Sequence, residues 1–163
     1  MLTENVVFPW LNVPVQVDSS FSDLTGEEHL ALRNMANWTD RLRTALERAC
    51  FADYLMKIEA IGAQPPTVPV IKCPNEILNH VRVESVRPEG VDLIVVYAEP
   101  SWQIDLCHEW CIGGSDRLLY VGPFLGYSPS SYATIEAGMN SARNYDETIA
   151  RLAHLPQGWN SPT

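Results

Sequence analysis

The chain has 163 residues, 46% hydrophobic and 19% charged, which is enough to bury a core without staples and too apolar for a disordered segment. Its 20 acidic residues outnumber 11 basic ones, for a formal net charge of −9. Such a field repels phosphate backbones and anionic lipid surfaces, so neither nucleic acid nor membrane is expected as a partner. A protein with a basic surface is the natural complement, because opposite potentials speed encounter.

The opening residues lack a basic region followed by an apolar one, so no signal peptide is expected, and no window reaches a membrane span. Cys50, Cys73, Cys107 and Cys111 then read as reduced thiols of a cytoplasmic protein. Alternation of Val13, Val15 and Val17 with polar residues suits a short strand, which Pro9 and Pro14 assign to a sheet edge. Thr25-Gly26-Glu27-Glu28 forms a capping box at the start of a helix. A second helix starts at Trp38-Thr39-Asp40, continues through Leu42, Leu46, Ala49, Cys50, Leu55 and Ile58, and ends at Gly62 before Pro65 and Pro66.

A proline-rich connector covers 63–74, and Pro74 to Leu78 reads as a single helical turn. The period then changes. Val81–Arg87, Val91–Tyr97, Trp102–Ile112 and Arg117–Val121 read as successive strands joined by short turns, hence antiparallel neighbours. Helical spacing returns over 132–155. The expected fold is α+β: one domain holding an antiparallel four- to five-stranded meander over 81–122, with helices before and after it packed on one face.

Trp102, Ile104, Leu106, His108, Trp110 and Ile112 share one face of their strand, and Gln103, Asp105, Cys107, Glu109 and Cys111 share the other. Tight turns would set Val95 opposite Ile104, Leu93 opposite Leu106 and Val91 opposite His108. They would likewise set Leu119 opposite Trp110 and Val121 opposite His108. The second face mixes Ile94, Val96, Leu118 and Tyr120 with Asp105 and Glu109. Either a helix covers it or a partner docks there.

Cys107-His108-Glu109-Trp110-Cys111 suggests a zinc motif, but on a strand the two cysteines stand about 13 Å apart, too far to share a metal or form a disulfide. His108 falls on the core face, so no metal or other cofactor is expected. No Walker, Rossmann or nucleophile-elbow spacing occurs, and no histidine forms a motif with a cysteine. Catalytic residues are therefore not assigned and no enzyme is expected, although a small hydrolase or transferase using His108 with Cys107 or a carboxylate is an alternative. In the stretch after the last strand, Phe124 and Tyr127 lie among Gly122, Pro123, Gly126 and Pro129, which would hold the aromatics as rigid anchors beside the acidic face.

Trp102-Gln-Ile-Asp105-Leu-Cys-His108, the Gly-containing turn and Leu119-Tyr-Val-Gly122-Pro123-Phe-Leu-Gly126 resemble a family of bacterial domains encoded near polymorphic toxins and contact-dependent secretion systems. The resemblance spans about residues 76–130. It implies an immunity protein that occludes a toxin or effector. The residues expected to bind that partner are Asp105, Glu109, Tyr120, Phe124 and Tyr127. A phage or secretion-system adaptor is the remaining alternative.

Overall fold

Local signals set most helix boundaries in the computed structural model, which describes residues 4–11, 13–18, 23–66, 68–90, 92–98, 108–114, 117–123 and 145–156. Helix α1 (Gly26–Asn34) opens on the capping box: the Glu28 amide donates to Thr25 Oγ1 at 3.2 Å, and the Thr25 amide donates to Glu28 Oε1 at 3.0 Å. After a short 3-10 turn, Thr39 caps α2 (Asp40–Ile61) through the Leu42 amide. Gly62 ends α2 at φ +87, where an L side chain would be strained, and its amide donates to the Ile58 carbonyl at 2.9 Å. A second 3-10 turn spans Pro74–His80, and α3 covers Tyr145–Leu152. The expected helical residues 132–144 lie outside the described ones.

Among the described residues, six strands form one sheet in sequential order: β1 (Glu4–Phe8), β2 (Val13–Val17), β3 (Arg82–Glu89), β4 (Asp92–Ala98), β5 (His108–Gly113) and β6 (Arg117–Pro123). The class is α+β, but the sheet is mixed where an antiparallel one was expected, because β2 and β3 run parallel. A parallel neighbour requires a long crossover, and α1 and α2 supply it. β1 was not anticipated as a strand, and it displaces β2 from the sheet edge. Pro14 is tolerated in this interior strand because pairing with β3 begins beyond it, at Gln16 and Val17.

The register builds a single buried row across five strands. Val17 pairs with Val86, Val86 with Val95, Val95 with Trp110, and Trp110 with Val121, and all five side chains are buried. The expected pairings are corrected here: Leu93 lies opposite Ile112, and His108 lies opposite Tyr97 and Pro123. A longer β4–β5 connection moves the register. The offset between Ile104 and Trp110 is even, so Trp110 and Ile112 stay on the core face. A bulge between Cys111 and Ile112 pairs Leu118 with Ile112 and packs it against the core, where the second face was expected.

Helix α2 lies over this row. Leu42, Leu46, Ala49, Cys50, Phe51, Tyr54, Leu55 and Ile58 join Phe8, Val17, Val86, Val95, Trp110 and Val121 in one hydrophobic cluster. Helix α3 packs on α2 and adds Leu152. The connector is docked against α2. The buried Tyr54 hydroxyl donates to the Pro69 carbonyl at 2.7 Å and accepts from the Ile71 amide at 3.1 Å, while Gln64 Nε2 donates to the Val68 carbonyl at 3.0 Å. Those bonds satisfy backbone groups that a proline-rich segment cannot pair within itself.

Candidate functional site: an acidic sheet face and an aromatic ladder

On the sheet face opposite the Trp110 row, Glu109 occupies the position paired with Val96 and Gly122, and Tyr120 the position paired with Cys111. Glu109 and Tyr120 are therefore diagonal neighbours in register on adjacent strands. Cys111, in register between Ile94 and Tyr120, is itself fully buried. Asp105, Phe124 and Tyr127 lie outside the described residues, as does Cys107. Of the five residues expected to bind a partner, the register thus brings together two.

A second constellation was not anticipated. The β1–β2 turn places Trp10 at φ +69, and the Leu11 amide donates to the Pro9 carbonyl at 2.8 Å. This is a γ-turn of the positive-φ kind, rarer and more strained than its mirror form. Trp10 lies 5.6 Å from Trp38 with the rings tilted by 38°, Trp38 meets Phe8 edge-on at 5.7 Å, and Phe8 lies 6.0 Å from Trp110. An aromatic ladder thus runs from the half-buried Trp10 to the centre of the core.

The Arg43 guanidinium sits 6.0 Å from the centre of the Trp10 ring, and its Nε lies 3.8 Å from Glu47 Oε2. Burial raises the Glu47 carboxyl above its ordinary value, and Arg43 draws it part of the way back. The sequence held one signal for this cluster. Trp38 and Arg43 flank the Thr39 cap at the two positions that a helix start brings together. The arrival of Trp10 from the hairpin turn has no local signal.

Among the described residues no group of three or more His, Cys, Asp or Glu side chains could hold a metal ion. No described helix is long and apolar enough to cross a membrane. A profile for the domain of unknown function DUF6985 matches residues 2–128, a span that takes in β1 through β6. The chain belongs to the DUF6985 family. No curated protein and no solved structure matches it. The family description names no activity, and its matched region includes both the aromatic ladder and the Glu109–Tyr120 face.

Proposed function

We propose that this DUF6985 chain is a protein-binding immunity or inhibitor protein that neutralises a toxin or effector by covering it with an acidic surface. The observation that supports this reading is the diagonal placement of Glu109 and Tyr120 on neighbouring strands, opposite the face that α2 covers. A carboxylate beside an aromatic combines steering of a basic partner with a contact of large area at low entropy cost. The net charge of −9 extends the same attraction over the whole molecule. Asp105, Phe124 and Tyr127 complete the proposed surface from adjacent stretches of the sequence. A cytoplasmic location and a partner with a basic surface belong to this proposal.

Co-expression with the toxin or effector encoded beside it tests the reading. The wild-type chain should restore growth, and a Glu109→Lys, Asp105→Lys double variant that still folds should lose most of that protection. Association measured with the purified pair should slow as salt is raised. Failure of the wild-type chain both to protect and to bind the neighbouring product would sink the proposal.

A further inference from the structure

We infer that the Trp10–Trp38 platform, bordered by Glu47, is a docking site for an arginine side chain of a basic partner protein, and that Arg43 occupies it in the free chain. The inference rests on the reading above that the partner is a basic protein, and it adds a second contact surface at the β1–β2 end of the sheet. Three observations converge on it. The two indoles meet at 5.6 Å and 38°, and the outer one already carries a guanidinium 6.0 Å from its ring centre. An aromatic face attracts such a cation, most strongly when the face is an indole.

The carboxylate that completes the site is also in place. Glu47 is only 8% exposed and lies 3.8 Å from the same guanidinium, so aromatic face and anion bracket one cation. Arg43 itself is held loosely: its side chain is 42% exposed, and the pair is spaced i,i+4 with the arginine first, the weaker orientation. An incoming arginine can displace it without disturbing the core. Finally, Trp10 is presented in a strained γ-turn where glycine or asparagine would sit more easily. The overall charge of −9 favours an arginine-bearing partner over an acidic one.

The test uses the full chain with ¹⁵N-labelled tryptophan side chains, titrated with N-acetyl-arginine amide and, as control, N-acetyl-citrulline amide. The indole resonances of Trp10 and Trp38 should shift saturably with arginine and not with uncharged citrulline. Vacating the site with Arg43→Ala should strengthen binding about two- to fivefold, the free-energy range of one exposed cation–aromatic contact. Trp10→Leu should abolish the response at Trp38. Equal responses from wild type, Arg43→Ala and Trp10→Leu would overturn the inference, as would an equal response to citrulline. Because the probe is a single amino-acid derivative, this outcome is independent of whether the chain protects against a toxin, so either proposal can fail alone.

Discussion

At the scale of single residues, Tyr54 and Glu47 show how differently two buried polar groups can act. The Tyr54 hydroxyl satisfies two backbone groups of the connector. Removing it takes that partner from the buried Ile71 amide and leaves the Pro69 carbonyl with the longer bond from Gln64 Nε2 at 3.4 Å, so Tyr54→Phe should cost about 1–3 kcal/mol in denaturant unfolding. Glu47 is the opposite case. Its folded-state pKa is raised, so the native state holds its proton more tightly than the unfolded chain does. That contribution is present below the ordinary carboxylate value and is lost as pH rises through the raised folded value. Glu47→Gln should therefore gain in melting temperature relative to wild type as pH climbs from 4 toward 7. An unchanged difference across that range would refute the assignment. Tyr54 was not singled out in the sequence, because its bonds to residues beyond its helix have no local signature.

Among the elements, those governed by neighbours in sequence were the legible ones. The capping box at Thr25, the Thr39 start, the Gly62 stop and the turn at Pro74 depend on a few adjacent residues, and the structure places them where the sequence does. β1 and the parallel β2–β3 joint depend on chain reversal through two helices, which no period records. The β4–β5 register depends on the length of a connection, which moved every pairing while parity kept Trp110 and Ile112 on the core side. For the candidate site, the register supports Glu109 and Tyr120 as neighbours, whereas the arrival of Trp10 at Trp38 depends on tertiary packing. The α2–α3 contact carries exposed ion pairs, Arg48 to Asp146 at 2.6 Å and Arg151 to Glu59 at 2.6 Å. Both are open to solvent, so Arg151→Ala should change stability by less than about 1 kcal/mol, and the apolar contact of Leu152 should hold the helix in place. A substantially larger loss in thermal or chemical unfolding would show that the pair is better shielded than its exposure indicates.

For the molecule as a whole, the deciding feature is that one cluster draws on the hairpin, the helices and the remaining strands together. Trp110 lies at its centre, fully buried, in contact with Phe8 and in register with Val95 and Val121. Trp110→Ala should cost about 3–5 kcal/mol, the range for truncating a buried aromatic. Shared packing of this kind also makes unfolding cooperative. Wild-type transitions followed by indole fluorescence and by far-ultraviolet circular dichroism should coincide in midpoint; separated midpoints would mean that hairpin and meander unfold as distinct units.

The parallel joint between β2 and β3 has a consequence for synthesis. As the chain leaves the ribosome, the hairpin of β1 and β2 emerges ahead of β3, carrying Phe8, Val15 and Val17 with the β3 side of β2 still unpaired. The whole excursion through α1, α2 and the connector must follow before Arg82 appears. Until then the nascent chain holds an open strand edge and an apolar helix face, a combination that invites chaperone capture or pairing with another unfinished copy. Slower translation between Val17 and Arg82 should therefore lower the soluble yield of the protein.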